Sequence, residues 1–315
     1  MTFLKQYKHL PWAPAIAVGL AIAFTFFPEM HGDLYAFRNE VDTLWHPYWT
    51  RWMFSLLALP PEPIAFLILS LVSIALLYFS VRVFGGRDWM VFTSFAFTWT
   101  LIYGQIDSIV VAGLALAWWA VKKERPVILG AGLIVALMKP QLSLPLVIAF
   151  WWWSPSRMKS LIIPAIVFGL SLIQWGFWIP DWITQLFRTQ NLEITTQDLV
   201  NLSRNISWWP WLGPITLLVW PLIGFLPMSR EKRVLAIAAG TAFSMPYFPL
   251  PSTVLHLVMP VPWWVWGLVQ VPLLGSLVGY WVYYITKVLP LLLLVWVLWS
   301  PVWEIWERRF HKDVE

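Results

Sequence analysis

Apolar runs recur along the whole chain, and short polar segments separate them. The strict alternation of apolar and polar residues that membrane β-strands need is missing. In lipid, every backbone group must be satisfied within the protein, so the runs predict membrane-spanning helices. We place these helices near residues 10–27, 63–84, 89–103, 108–121, 126–138, 142–153, 160–179, 210–227, 234–248, 253–268, 271–285 and 288–303. The pattern predicts an all-α polytopic membrane protein with about 10–12 transmembrane helices.

Composition extends this prediction to the entire chain. Hydrophobic residues make up 59% of the 315 residues and charged residues only 12%, with a mean hydropathy of +0.68. A soluble protein carries about 25% charged residues. We therefore predict one integral membrane domain over residues 1–315, rather than a soluble domain with an anchor.

Motifs for cofactors and metals are missing. Cysteine is absent, which excludes disulfides and thiolate metal sites. The spacings of nucleotide-binding and zinc-binding motifs do not occur either. We predict no cofactor, and a divalent metal ion stays an open alternative.

Basic residues collect in one set of alternating loops, and this distribution predicts the orientation. The set comprises Lys5, Lys8, Arg82, Arg87, Lys122, Lys123, Arg125, Arg157, Lys159, Arg230, Lys232, Arg233, Arg308, Arg309 and Lys312. Because cytoplasmic loops carry the excess of Lys and Arg, these loops and both termini are predicted to be cytoplasmic. The net charge of +5 then reports topology, and we predict no nucleic-acid partner. The expected location is multi-pass in the plasma (inner) membrane, with membrane lipid as a partner.

Two long loops lie on the opposite, non-cytoplasmic side in this topology. The first, residues 28–62, holds Glu29, Asp33, Glu40 and Asp42 among aromatic residues. Its later half predicts a helix lying at the membrane interface, as amphipathic aromatic-rich stretches do. The second loop, residues 180–209, is the most polar segment of the chain.

Four consecutive apolar runs are too short to cross a bilayer. Runs 89–103, 108–121, 126–138 and 142–153 contain 12 to 15 residues. They rise about 18–22 Å, whereas the hydrocarbon core is about 30 Å thick. Basic residues place one end of each run at the cytoplasmic surface. The other ends, residues 103–107 and 139–141, are therefore predicted to form two polar hairpin tips at similar depth below the outer surface.

Lys139 lies within one of these tips. A charge at mid-membrane costs about 2.5–3.5 kcal/mol and marks a functional site by default. We predict a cavity open to the non-cytoplasmic face, floored by Lys139, Gln105 and Asp107, that accepts a lipid phosphate. Two simpler interpretations stay open: Lys139 extends to a nearby interface, or it forms a structural pair with Asp107 between the hairpins.

The residues around both tips resemble a known family. The run YGQIDSIVVAGLALAWWAVKKERPVILGAGLIVALMKPQLSLPLVIAFWW resembles the Gly-Gln and Lys-Pro-Gln hairpins of the polytopic GT-C glycosyltransferases. It is most similar to the polyprenyl-phosphate-mannose-dependent α-mannosyltransferases, glycosyltransferase family 87. The segment HPYWTRWMFSLLALPPEPIAF is similar to the entry into that family's second helix, and MPYFPLPSTVLHLVMPVPWW to a late Pro-Tyr segment. Together these stretches cover most of residues 28–270.

The resemblance implies a GT-C fold and a reaction. A mannose-like sugar would move, with inversion, from a polyprenyl-phosphate donor to a glycolipid, glycan or protein acceptor on the non-cytoplasmic side. In the family, an aspartate of the first external loop acts as general base on the acceptor hydroxyl. That role falls on Asp33, with Asp42 as the fallback.

The resemblance also implies a set of donor-binding residues. A departing phosphate needs a positioned cation, and Lys139, Arg204 and Arg188 are the candidates. The other predicted pocket residues are His31, Gln105, Asp107, Gln141, Tyr247 and His256. Helix capping is the alternative role for His256, and contact with lipid headgroups is the alternative for the two arginines.

Two departures from the family leave other functions open. The family commonly has polar residues where this chain has His46, and 315 residues is short for the group. A non-catalytic subunit of a membrane complex, with other subunits as partners, would show the same features. A lipid or solute transporter would use the same cavity, although the second half shows no counterpart of the hairpins, as an inverted repeat would require.

Overall fold

The computed structural model describes residues 12–39, 46–188, 205–274 and 285–310. Within these ranges the chain is helical, with one isolated β-bridge between Asn205 and Pro249 and no strand. The predicted all-α class is therefore confirmed. The number of ten to twelve transmembrane helices stays a prediction.

The helices are numbered along the described residues. They are α1 Trp12–Phe24, α2 Gly32–Asn39, α3 Thr50–Ala58, α4 Glu62–Phe84, α5 Asp88–Phe92, α6 Phe95–Tyr103, α7 Asp107–Lys122, α8 Pro126–Ala136, α9 Pro140–Trp153, α10 Arg157–Ser160, α11 Ile162–Trp175, α12 Ile179–Arg188, α13 Trp209–Leu212, α14 Val219–Phe225, α15 Arg230–Ser244, α16 Val254–Leu257, α17 Trp263–Gln270 and α18 Val288–Phe310. Short 3₁₀ segments cover Pro28–Met30, Gly213–Leu218, Leu250–Thr253 and Val271–Leu274.

Two helical segments in the described part of the chain are long and apolar enough to cross a membrane. They are Glu62–Phe84, with 23 residues, and Arg157–Trp175, with 19 residues. The pair α6 and α7 passes the same test together but is bent by 117° at the intervening break. Helix α11 exposes Ile166, Leu170 and Ile173 and buries only Ser171. An apolar helix exposed on nearly all sides requires lipid around it.

The α7–α8 hairpin forms the centre of the packed core. Helix α7 is buried along most of its length and packs against α4, α8 and α9. A Cβ atom at Gly113 would lie 2.6 Å from the Ala136 nitrogen, and one at Gly132 would lie 2.6 Å from the Ala117 nitrogen. The two backbones therefore approach as closely as small residues allow. This contact holds the end of α8 in register with α7, and so positions the turn before α9.

Both predicted turns are present, but the second lies at residues 137–139, and Pro140 and Gln141 belong to helix α9 instead of to the turn. Helix α6 ends at Tyr103 and is followed by Gly104, whose φ of +66° is left-handed and favours glycine, and α7 begins at Asp107. Helix α8 ends at Ala136 and α9 begins at Pro140, where a proline fits the first helical turn without loss of a hydrogen bond.

The 28–62 loop contains helices, as predicted. Its described residues form a 3₁₀ turn and helices α2 and α3, which pack on each other. Phe37 of α2 stacks on Phe54 of α3 with ring centroids 4.4 Å apart. These helices lead directly into α4 at Glu62.

The predicted span 253–268 was wrong as a single helix. The chain there forms the 3₁₀ segment Leu250–Thr253, the four-residue helix α16, a break at residues 258–262 and then α17. Pro260 and Pro262 lie in the break, and proline removes a backbone donor and obstructs a continuous helix. The segment Leu250–Leu257, which includes the first part of this run, is buried in the protein core instead of facing lipid. The predicted span 271–285 lies mostly outside the described residues.

Candidate active site

A buried ion pair joins the two hairpin tips. Lys139 Nζ lies 2.6 Å from Asp107 Oδ2, and the side chains of Lys139 and Asp107 are 10% and 0% exposed. The other carboxylate oxygen, Asp107 Oδ1, accepts a hydrogen bond from Ser252 Oγ. Asp107 therefore holds Lys139, which was one of the arrangements open from the sequence. The sequence did not identify Ser252 as its second partner.

Asp107 and Lys139 meet because each lies at the N-terminus of a helix that begins at a hairpin tip. Asp107 lies in the first turn of α7, where the helix dipole favours a negative charge. Lys139 immediately precedes α9, and Gln141 lies in that helix's first turn. The Ser143 hydroxyl donates to the Ala136 carbonyl at 2.6 Å, which fastens α9 to the end of α8. The tips therefore place two helix N-termini on either side of the ion pair.

The ammonium group of Lys139 keeps hydrogen-bonding capacity. A lysine ammonium has three N–H donors, and with the described residues the Nζ of Lys139 makes one hydrogen bond, to Asp107. Gln105 is partly exposed, and its Oε1 is buried with no hydrogen bond from the described residues. A buried polar atom without a partner costs free energy unless water or a ligand satisfies it. The tips can therefore both donate to and accept from a bound polar molecule.

Asp33 lies next to the first hairpin tip. A Cβ atom at Gly104 would lie 2.8 Å from Leu34 Cβ, and one at Gly32 would lie 3.6 Å from the Tyr103 ring. The start of α2 thus packs directly on residues 103–104. Asp33 is partly exposed there, between the two contacting residues of α2.

His46 links the 28–62 loop to the second tip. Its Nδ1 lies 2.8 Å from the carbonyl oxygen of Met138, the residue before Lys139. Its ring packs edge-on against Phe37 and Phe54, with ring centroids 5.6 Å apart in each case. Desolvation lowers the pKa of His46 to about 4 and outweighs the hydrogen bond to Met138, which raises it. His46, which precedes α3 and lies outside the candidate spans, is therefore neutral at pH 7.

His31 contacts α1 and α4 instead of the ion pair. It is fully buried, stacks on Phe66 at 3.7 Å, and donates from Nε2 to the Phe24 carbonyl at 3.0 Å. Its Nδ1 lies 3.4 Å from Glu62 Oε1. His31 thus joins the end of α1 to the start of α4, two residues from Asp33.

The remaining predicted residues lie in three different surroundings. His256 is buried on α16, and its Nε2 donates to the Ala238 carbonyl of α15 at 3.1 Å, so it links two helices instead of capping its own. Tyr247 is partly exposed in the segment between α15 and Ser252. Arg188 ends α12, although its side chain is outside the described part, and Asp42 and Arg204 lie outside the described residues altogether.

A second buried cation was missed by the sequence analysis. Lys287 donates from Nζ to the Asn205 carbonyl at 2.7 Å, and the ammonium lies 4.7 Å from the centre of the Trp211 ring. Asn205 in turn accepts from the Phe248 nitrogen at 2.9 Å. The sequence analysis did not single out Lys287 because it lies between the predicted spans 271–285 and 288–303, where a lysine is expected in a loop.

The described residues contain no cluster of side chains suited to bind a metal ion. Among those residues, no three His, Asp or Glu side chains come together as metal ligands would. The chemistry visible at the tips is that of charge and hydrogen bonding.

The fold and the site together define a class. Apolar helices surround a polar centre where two hairpin tips, a loop and a buried lysine meet, as in a polytopic membrane protein with an internal site. Comparison with protein families goes further: the model of glycosyltransferase family 87 matches residues 47–253, more than half of the chain. The chain belongs to glycosyltransferase family 87 and is a membrane glycosyltransferase. No curated protein and no solved structure matches it.

The extent of the family match separates the site residues into two groups. Gln105, Asp107, Lys139 and Ser252 lie inside the matched range. Asp33 precedes it, so its assignment depends on its place in the loop and on the contacts of its neighbours Gly32 and Leu34 with the first tip.

Proposed function

We propose that the protein transfers a mannose-like sugar, with inversion, from a polyprenyl-phosphate donor to a glycolipid, glycan or protein acceptor. The reaction takes place on the non-cytoplasmic face of the plasma (inner) membrane. The observation that carries the proposal is the meeting of the two hairpin tips, with the start of α2 packed on the first of them. The buried Lys139, which has N–H donors unused by the described residues, thus lies in a glycosyltransferase near the helix that bears Asp33.

Asp33 is the proposed general base. Its carboxylate takes the proton of the acceptor hydroxyl while that oxygen attacks the anomeric carbon, opposite the bond to phosphate. The anomeric carbon–oxygen bond to the lipid phosphate breaks, and its electron pair leaves with the phosphate. No covalent enzyme intermediate is needed. Asp42 is the fallback for this role.

Lys139 is the proposed partner of the donor phosphate. Negative charge grows on the departing phosphate, and a preorganised cation in a site with little water stabilises that charge. Asp107 and Ser252 hold the lysine in place, and its unused N–H groups bind phosphate oxygens. Arg188 and Arg204 of the polar 180–209 loop are further candidates for the same anion.

The other pocket residues are proposed to orient the sugar. Gln105 supplies a buried acceptor without a protein partner among the described residues, and Gln141 lies in the first turn of α9. Tyr247, which is partly exposed, is proposed to line the far side, where the segment that carries Ser252 begins. His256 was expected there too, but it is enclosed in the core, where it links α16 to α15.

Replacement of the proposed base tests this function. Purified Asp33→Asn is expected to lose about 10²- to 10⁴-fold in kcat with polyprenyl-phosphate mannose, with a smaller change in KM, because only proton removal is lost. Asp181→Asn, at an exposed position of α12, is the matched control and should keep wild-type kcat. Full activity of Asp33→Asn would show that the base lies elsewhere. Lack of transfer by wild type from every polyprenyl-phosphate sugar would refute the proposed reaction.

A further inference from the structure

His46 is held in one tautomer. A carbonyl oxygen only accepts hydrogen bonds, so the 2.8 Å contact between His46 Nδ1 and Met138 O places the ring proton on Nδ1. Nε2 of the neutral ring then carries a lone pair and can act only as an acceptor. The hydrogen bond to the Met138 carbonyl therefore makes Nε2 a hydrogen-bond acceptor.

The His46 ring is also held in one orientation. Phe37 and Phe54 stack on each other and both meet the imidazole edge-on. Because two helices and a hairpin tip hold the ring, its freedom to rotate is small. A preorganised acceptor loses little conformational entropy when it binds a ligand.

His46 lies next to the ion pair and is not fully enclosed. It is bonded to the residue that precedes Lys139, and Lys139 and Asp107 both act electrostatically on its ring. Of the described histidines, His31 and His256 are 0% and 1% exposed, whereas His46 is partly exposed. Its Nε2 makes no hydrogen bond with the described residues. A purely structural histidine in the core would have both nitrogens enclosed by protein.

We propose that His46 is a further substrate-contact residue, whose Nε2 accepts a hydrogen bond from a hydroxyl group of the reacting sugar. The inference depends on the proposed function, since it places the sugar between Lys139 and α2. The hydroxyl belongs either to the donor sugar or to a sugar acceptor, and the geometry at His46 is the same for both. A neutral acceptor suits this role because a sugar hydroxyl carries a proton to donate.

His46→Asn separates this contact from the structural link. The asparagine amide nitrogen occupies the place of Nδ1 and still donates to Met138 O, but nothing replaces Nε2. We expect about a 10- to 100-fold loss in kcat/KM, since the sugar hydroxyl is left without its partner. The thermal unfolding midpoint should stay near that of wild type. His46→Leu, which removes both nitrogens, should lower that midpoint as well.

Deoxy sugars identify the hydroxyl that binds Nε2. Their effect on kcat/KM also distinguishes a substrate contact from a purely structural role of His46. One deoxy analogue of mannose, presented on polyprenyl phosphate or as acceptor, should lower kcat/KM in wild type by about tenfold or more. In His46→Asn the same analogue should react as fast as the parent sugar, because the contact is already absent. If His46→Asn folds poorly, the cycle is run with His46→Ala, which also lacks an acceptor at the place of Nε2. Whether the donor or the acceptor analogue shows the effect tells which sugar is bound.

The inference fails if His46→Asn keeps wild-type kcat/KM, which would leave His46 only its bond to Met138. It also fails if every deoxy analogue slows wild type and variant by the same factor. Neither result would affect the proposed reaction, because wild type would still transfer sugar in both cases. Absence of any transfer by wild type would instead remove the basis of both proposals.

Discussion

At the scale of single residues, the Lys139–Asp107 pair decides the character of the site. Two charges removed from water are stable only when they pair well and their remaining hydrogen-bonding groups are satisfied. Asp107 meets this condition through Lys139 and Ser252. Lys139 has an ion-pair partner, but the described residues accept only one of its three ammonium N–H hydrogen bonds. This is the property expected of a cation that binds an anionic ligand.

Single and double replacements distinguish the structural from the functional part of this pair. Lys139→Met leaves a buried carboxylate without its cation and should cost about 3–5 kcal/mol of stability. The double variant Lys139→Met with Asp107→Asn removes both charges and keeps an acceptor for Ser252, so the thermal midpoint should recover. Transfer activity should stay lost, because no cation meets the phosphate. An active double variant would show that Lys139 has only a structural role.

At the scale of elements, the α7–α8 hairpin is the platform that carries the site. Its glycines allow two backbones to touch, and the connected turns then present Asp107 and Lys139 to each other. Helix α2 packs against the neighbouring turn at Gly104, so the loop that carries Asp33 follows the position of the hairpin. A small displacement between α7 and α8 should therefore change the positions of Asp107 and Lys139.

One added methyl group tests this dependence. Gly132→Ala places a Cβ 2.6 Å from the Ala117 nitrogen and should destabilise the protein by about 1–3 kcal/mol. Gly169→Ala on α11 meets nothing within 4 Å and should be neutral or slightly stabilising, since alanine favours helices. Thermal unfolding in detergent measures both variants. Equal midpoints for the two would contradict close backbone contact in the hairpin.

At the scale of the whole molecule, the proposed orientation places Asp33 and both tips toward the non-cytoplasmic side. The argument depends on the distribution of Lys and Arg among the loops. Since the chain has no cysteine, single cysteines can be introduced without any other change to the protein. This makes the topology directly measurable in intact cells.

Labelling with a membrane-impermeant maleimide should separate the two faces. Glu29→Cys, in the 28–62 loop, should react in intact cells, because the position is exposed and the loop is predicted to lie on the outer side. Lys123→Cys, exposed between α7 and α8, should react only after the membrane is permeabilised. The reverse pattern would place the tips toward the cytoplasm and overturn the proposed location of the reaction.

The sequence by itself determined the class of the protein and the two hairpin tips. Hydropathy and run length are local properties, and lipid imposes on each segment a requirement that does not depend on its distant neighbours. Four short apolar runs with basic residues at one end were therefore enough to predict that Lys139 lies at a turn between two helices. The same reasoning indicated a pair between Lys139 and Asp107 as one alternative.

Only the tertiary structure decided which distant residues complete the site. Ser252 lies 145 positions after Asp107, and His46 lies 92 positions before Met138, so no spacing in the chain relates them. The run at 253–268 resembled a span because apolarity is the same signal whether a segment faces lipid or the interior of the protein. Packing resolved that ambiguity: it buried Leu250–Leu257 in the core and set the Ser252 hydroxyl on the carboxylate that holds Lys139.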